Sequence, residues 1–393
     1  MMAPVSGSAL RPLGMEMDCH VRAIPAIFWA WAILWRLGSR RSANMGTPPL
    51  VSICIPTYNG RAFLRQCLES ALAQTIVDFE VVVLDDASQD GTAEIAEEYA
   101  LRDPRVRLYR NSENLGSVKN RNRCIELARG EWIKLLFQDN YLEPHCVASM
   151  LGALQPGVSL AVFKRIHIVE PGVPVELREG YERYVAEHTL PRRFAGCSLI
   201  RPDAFAAHVA HYPTDNCIGE PTATLIHRSA FQRFGFFHPY LIQLNDWEYA
   251  ARVAVHTGLC YIDEPLATIR LHASSTTARN YARRRYRAYV IDPLVILHDL
   301  VHHEVYAPVR AAARHSSPRI NLRHRLTYAA RQARKQAQHE HASGAGAEAL
   351  AEWEEAVTRY PRLSSLSPGY VLSKAWSRAK GGLRLLRGSV LGP

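Results

Sequence analysis

The sequence predicts an α/β protein on a doubly wound, mostly parallel sheet, and three observations carry that prediction. Leu50–Ile55 and Val81–Leu84 are almost wholly apolar, as strands buried on both faces are. Each run ends on polar or turn-forming groups, Pro56-Thr57-Tyr58-Asn59-Gly60 and Asp85-Asp86. Between them Phe63, Leu64, Cys67, Leu68, Ala71 and Leu72 recur at helical spacing on one face. Strand, helix, strand, with polar groups at the carboxyl end of each strand, is where open α/β sheets bind ligands.

The elements follow in order. Leu50–Ile55 is the first strand, and Asn59 can cap the helix after it. Phe79–Leu84 is the second strand. Asp85–Thr92 (DDASQDGT) is a turn leading into a helix near Ala93–Ala100. Val106–Tyr109 is a short third strand and Val118–Ala128 a helix that Gly130 stops. Trp132–Phe137 is the fourth strand, ending on Gln138, Asp139 and Asn140. With right-handed crossovers and a strand order of 3-2-1-4, Pro56–Asn59 and Gln138–Asn140 face one crevice at the switch point. Glu143 to about Ile200 is less regular, with one β-like run, Leu160–Val169. Farther on, Ala223–Ile226 reads as a strand and His227–Phe234 as a turn and short helix. Leu244–Thr257 reads as a helix with Asp246 near its start, and Tyr261–Ile262 and Ala267–Leu271 as short strands. Beyond Tyr289 the pattern is helical and basic, with a hinge at Ser343–Glu348 and a loosely held tail from Gly369 to Pro393.

At 393 residues the chain holds one large α/β domain with appendages. Its 47 Lys and Arg against 37 Asp and Glu give a net charge of +10, concentrated at Arg279–Arg287 and Arg310–Lys335. That suits nucleic acid, an anionic membrane or anionic substrates. The eight cysteines form no CxxC pair, so they read as buried thiols rather than a zinc site or disulfide framework. Ala23–Trp35 is 13 apolar residues interrupted by Pro25, too short to span a bilayer. Three readings compete for residues 1–46: a short interfacial anchor, a degraded signal, or translation from upstream of the true start. Met45, five residues before the first strand, favours the last.

A dinucleotide fold needs a GxGxxG loop after the first strand; PTYNG is not one, which argues against a nicotinamide or flavin enzyme. Asp85 and Asp86 are placed to accept hydrogen bonds from a ribose or base, with a capping turn as the structural alternative. Asp139 is placed to hold a divalent ion between two phosphates, and Arg121 to pair with phosphate or with one of the carboxylates. Asp246 reads either as a dipole-favoured carboxylate at a helix start or as a general base for an attacking hydroxyl. Arg270 and His272, in RLHASSTT, read as phosphate or metal contacts.

Six pieces resemble the family 2 glycosyltransferases with a GT-A type fold. They are VSICIPTYNG (51–60), VVVLDDASQDGT (81–92), NLGSVKNRNRCIELARGEWI (114–133), LFQDNYLEP (136–144), NDWEYAARV (245–253) and IRLHASSTT (269–277). The resemblance implies an inverting, non-processive transferase that moves a sugar from a nucleoside-diphosphate sugar to an acceptor hydroxyl. It implies that Pro56, Thr57, Tyr58, Asn59, Asp85, Asp86, Arg121, Gln138 and Arg270 surround the donor. Asp139 and His272 would hold a divalent cation, Mn2+ or Mg2+, and Asp246 would be the catalytic base. The chain departs from the family where LDxDD reads Leu136-Phe137-Gln138-Asp139-Asn140, where Asn120 replaces an alanine, and where Asn245 replaces the usual glutamate. It lacks a QxxRW element and any run of membrane spans, which argues against a processive polymerase.

The expected organisation is an N-terminal extension (1–46), a GT-A domain (47–290) and a basic, mainly helical C-terminal region (291–393). Expected partners are the nucleotide sugar and a glycan or lipid-linked acceptor. Contact with an anionic membrane through the basic region would place the protein in the cytoplasm, at the inner face of the inner membrane; nucleic acid is not expected. The rivals are an inactive nucleotide-sugar-binding relative and a sugar-nucleotide nucleotidyltransferase, whose Gly-rich signature loop is missing.

Overall fold

The computed structural model describes residues 47–282, 286–344 and 348–365. The expectations for residues 1–46 and for the Gly369–Pro393 tail lie outside them, as do the centre of the Ser343–Glu348 hinge and Arg283–Arg285.

Nine strands form one sheet: β1 Val51–Thr57, β2 Phe79–Asp85, β3 Val106–Arg110, β4 Trp132–Leu135, β5 Tyr141–Leu142, β6 Leu160–Val169, β7 Leu199–Ile200, β8 Thr224–His227 and β9 Leu259–Leu271. Their order is β3-β2-β1-β4-β8-β6-β9-β5, with β7 beside β9. The first four are parallel and stand in the expected 3-2-1-4 order, with Val51 opposite Phe79 on one side and Trp132 on the other. Helices Leu64–Leu72, Thr92–Arg102 and Ser117–Leu127 make the crossovers that parallel pairing requires.

A mostly parallel sheet does not extend past β4, and the fold is corrected here to a mixed sheet with C-terminal helices. β8 runs antiparallel to both β4 and β6, and β9 is parallel to β6 but antiparallel to β5 and β7. The regular strand–helix alternation ends at Leu135, and beyond it β6 and β9 are the parallel pair in an otherwise antiparallel half. β9 is one long strand rather than two. Its register against β6 shifts around Lys164–Pro265, where a proline offers no N–H to the ladder.

Two further helices are Val175–Glu187, in a stretch with no apolar periodicity, and Pro202–His211. The first buries only Leu177, so no apolar stripe marks it. Toward the C-terminus come helices Asp292–His302, Ala307–His315, Leu322–Ser343 and Ala349–Arg359. Leu322, Leu326, Ala330, Ala333 and Ala337 form one buried stripe on the longest, at the spacing of a single helix face. One apolar core runs from Leu50 to Leu363. Cys54, Cys67, Cys124, Cys146, Cys217 and Cys260 are buried free thiols, as their apolar context suggests.

The C-terminal helices are tied to the segment that enters the Asp246 helix by a buried carboxylate. Asp292 begins the first of them, and its Oδ2 accepts the backbone N–H groups of Ile242 (3.0 Å), Gln243 (2.6 Å) and Leu244 (3.0 Å). Those residues enter the helix Asn245–Thr257. Burial pushes the Asp292 carboxyl up to about 6, against the pull of the three donors and Arg287. Asp292→Ala would leave three amides without their acceptor, a cost of roughly 2–4 kcal/mol. A urea titration should show a lower midpoint at unchanged m-value, and an unmoved midpoint would refute the anchoring role.

Candidate active site

The carboxyl ends of β1 and β4 open into a cleft of about 1440 Å³. The loop after β1 is fixed on both sides. The Gln138 side chain takes the Tyr58 N–H through Oε1 (2.9 Å) and returns Nε2–H to the Tyr58 carbonyl (3.0 Å). Gly60 makes this close approach possible, since a Cβ there would lie 2.1 Å from Gln138 Oε1. Asn59 adopts a left-handed φ of +46°, a conformation asparagine tolerates better than most residues. Its N–H donates to Ser88 Oγ (2.9 Å) and its Oδ1 accepts the Gln89 N–H (3.0 Å). Gly60 N–H donates to Thr92 Oγ1 and Arg61 N–H to Asp90 Oδ2. Pro56, Thr57, Tyr58 and Asn59 all face the cleft; Thr57 Oγ1 is buried without a protein partner, and Tyr58 is exposed.

The two aspartates after β2 point to different tasks. Asp85 is fully buried and does not line the cleft; its Oδ2 accepts the Ser88 N–H (3.0 Å) and pairs with Arg110 Nε (3.2 Å). Asp86 reaches the cleft edge. Its carboxylate accepts the N–H groups of Leu115 (2.9 Å) and Gly116 (3.0 Å) and the Asn111 amide (2.8 Å), closing the 111–116 loop. Asn120 staples β1 to β2, donating Nδ2–H to Leu84 O (3.2 Å) and Thr57 O (3.4 Å). In the sequence Asn120 stands out only as a departure from a motif; its role needs two strands to be adjacent.

Across the cleft, His272 Nε2 lies 3.1 Å from Asp139 Oδ2, and its Nδ1 2.8 Å from Ser274 Oγ. No group of three or more His, Cys, Asp or Glu side chains placed to hold a metal occurs among the described residues. Asn140, at the family's acidic position, is committed to Thr222 Oγ1 and the Arg270 N–H. One carboxylate fits a divalent ion whose remaining ligands are substrate phosphate oxygens, a common arrangement for Mg2+, and the imidazole is a ligand better suited to a softer ion. Arg270 is engaged by Glu170 (2.5 Å) and by Gln66, so a phosphate would have to draw it from an existing partner.

Asp246 lies in the first turn of the helix Asn245–Thr257, its residue lining the cleft. Burial raises its carboxyl to about 6, with Arg121 opposing the rise. Arg121 is itself buried over the Phe237 ring, 3.7 Å from the centroid, and bonds Asn245 Oδ1. Its guanidinium is lowered to about 10 by burial. The asparagine at the family's glutamate position thus receives the arginine, leaving Asp246 to the cleft. The structure brings Pro56–Asn59, Asp86, Arg121, Gln138, Asp139, Asp246, Arg270 and His272 to one cavity and leaves Asp85 behind it.

Comparison with known proteins agrees with this arrangement. The model of "Glycosyl transferase family 2" matches residues 52–237. An uncharacterized Mycobacterium tuberculosis protein, MT1568, is 34% identical over 238 residues, 60% of this chain and 72% of that one. The putative glycosyltransferase EpsH of Bacillus subtilis is 38% identical over 176 residues, 42% of this chain and 51% of its own. Escherichia coli chondroitin synthase is 42% identical over 120 residues, but these are only 17% of that protein. Among solved structures, S. aureus TarS 1–349 in complex with UDP-GlcNAc shares the fold at a TM-score of 0.50 and 15% identity, over 80% of this chain and 83% of that one. With the motifs in order along the chain and their side chains around one cleft, the protein belongs to glycosyl transferase family 2 and is a glycosyltransferase that uses a nucleoside-diphosphate sugar.

Proposed function

We propose that this enzyme is inverting and non-processive, that residues 47–290 carry the chemistry, and that Asp246 is its catalytic base. The observation that carries the proposal is that one cleft joins the loop after β1, the Asp139–His272 pair and Asp246. The nucleoside would rest against Thr57, Tyr58 and the Asp86 edge, with Arg121 and Gln138 holding the walls. A divalent cation, Mn2+ or Mg2+, held by Asp139 and His272 would supply positive charge for the departing diphosphate. Asp246 takes the proton of the acceptor hydroxyl as its oxygen bonds to the anomeric carbon. The bond from that carbon to the diphosphate breaks with its electron pair, and the configuration inverts. An α-linked donor gives a β-linked product.

Relatives named for chondroitin synthesis support a place in cell-surface polysaccharide or other glycoconjugate synthesis, on a glycan or lipid-linked acceptor. No described helix is long and apolar enough to cross a membrane. The exposed Arg331 and Lys335 of the long C-terminal helix, opposite its buried stripe, suit peripheral contact with an anionic cytoplasmic membrane surface. The loss of acids at Phe137 and Asn140 favours a second reading, a nucleotide-sugar-binding relative with little turnover, and the same assays separate the two.

A screen of UDP-, GDP- and dTDP-sugars should find a donor that the wild type turns over. Asp246→Asn should lower kcat about 10³-fold with nucleotide binding intact; equal low rates in both proteins would leave only the binding relative. Asp246 must be ionised to accept a proton, and its carboxyl stands near 6. The acidic limb of kcat/KM should therefore have its midpoint near pH 6 rather than at the ~4 of an ordinary aspartate. A limb near pH 4 would point to another base. Chelation with EDTA, or Asp139→Ala, should lower turnover about tenfold or more. Mn2+ or Mg2+ should restore the chelated wild type, and full activity after chelation would exclude the cation from the reaction.

A further inference from the structure

The wall of the cleft that carries Asp246 also holds an ion cluster that the proposed chemistry leaves unused. Glu220 sits just before β8, and Arg165 and His167 lie on β6. Arg165 Nη1 is 2.9 Å from Glu220 Oε2, and His167 Nε2 is 3.2 Å from Oε1. All three side chains are largely buried: 8% exposed for Arg165, 10% for His167 and 18% for Glu220. Gly219 makes room for the pair. It has a φ of +96°, and a Cβ there would fall 1.8 Å from Arg165 Nη1. Burial works against the Glu220 charge, but Arg165 and His167 overcome it and hold the carboxyl well below its ordinary range.

A buried ion pair is a weak source of stability, and this one is not sealed in the core. Glu220 and Arg165 both line the cleft that Asp246 lines. A carboxylate has about four lone-pair directions, and two N–H donors leave Glu220 able to accept from O–H groups. Arg165 gives one N–H to Glu220 and His167 meets it through Nε2, so cation and carboxylate balance within the cluster. Tyr181 and Tyr184, from the helix Val175–Glu187, line the same cleft and present aromatic surface with a polar tip. A committed carboxylate beside aromatic rings suits the hydroxyls and C–H faces of an uncharged sugar.

We infer that Glu220 is a specificity-determining residue that accepts a hydrogen bond from a sugar hydroxyl beside the reacting centre. This rests on the nucleotide-sugar reading of the cleft. The hydroxyl belongs either to the transferred sugar or to the acceptor, and two measurements separate them. If it belongs to the donor, Glu220→Gln raises Kd for the nucleotide sugar about tenfold or more, while Kd for the bare nucleoside diphosphate stays within about twofold. If it belongs to the acceptor, both donor constants hold and KM for a p-nitrophenyl glycoside acceptor rises about tenfold or more. A merely structural role would weaken nucleoside diphosphate and nucleotide sugar alike, and that result overturns the inference, as does no change in any constant.

Deoxy analogues of the donor sugar and of the glycoside, tested on the wild type, need no folded variant. One hydroxyl deletion should cost about tenfold in Kd or KM, and a series in which none costs more than about threefold overturns the inference. A wild type that binds neither nucleotide sugars nor glycosides would sink the nucleotide-sugar reading and this inference together. A wild type that turns over its donor while Glu220→Gln matches it in every constant sinks the Glu220 assignment alone.

Discussion

The cleft depends on the side-by-side pairing of β1 with β4. Parallel neighbours emerge from the sheet at the same edge, so the loops that follow them meet in space although Tyr58 and Gln138 are 80 residues apart. Gln138 then makes the meeting rigid. Its amide both accepts from and donates to the Tyr58 backbone, as a neighbouring strand would, and only a residue without a side chain fits at Gly60 beneath it. The loop Pro56–Asn59, which faces the cleft, is positioned from this junction. Asn120 performs the same service one strand over, between β1 and β2.

What was legible in the sequence is what has a local signature. The apolar runs at Val51–Ile55 and Val81–Leu84 marked the central strands, and polar groups at their ends marked the cleft. The meeting of Pro56–Asn59 with Gln138–Asn140 followed once these strands took the doubly wound order 3-2-1-4. The second half of the sheet was not legible in this way. Its strands are short, β5 and β7 have two residues each, and their directions are set by tertiary pairing. The helix Val175–Glu187 escaped because it buries one residue. Asp85 and Asp86 look equivalent in the sequence; the turn after β2 directs one toward Arg110 behind the cleft and the other to its edge.

Charge in this protein is largely committed before any ligand arrives. Arg121 is taken by Asn245, Arg270 by Glu170 and Gln66, Arg165 by Glu220, and Arg110 by Asp85. Asp246 is a half-buried carboxylate in the cleft with Arg121 as its opposing charge. Fixed dipoles and committed pairs need not reorganise when charge moves during a reaction. In the proposed reaction the proton chemistry falls to a single carboxylate.

Asp292 gives the C-terminal helices a bearing on that carboxylate. The three amides it gathers belong to Ile242, Gln243 and Leu244, and the next residues are Asn245 and Asp246. A helix that shifted by an ångström at Asp292 would carry the start of the Asp246 helix with it, because no slack lies between them. In the proposed reaction the C-terminal helices are therefore mechanically in series with the proton acceptor, and a load applied at one end is felt at the other.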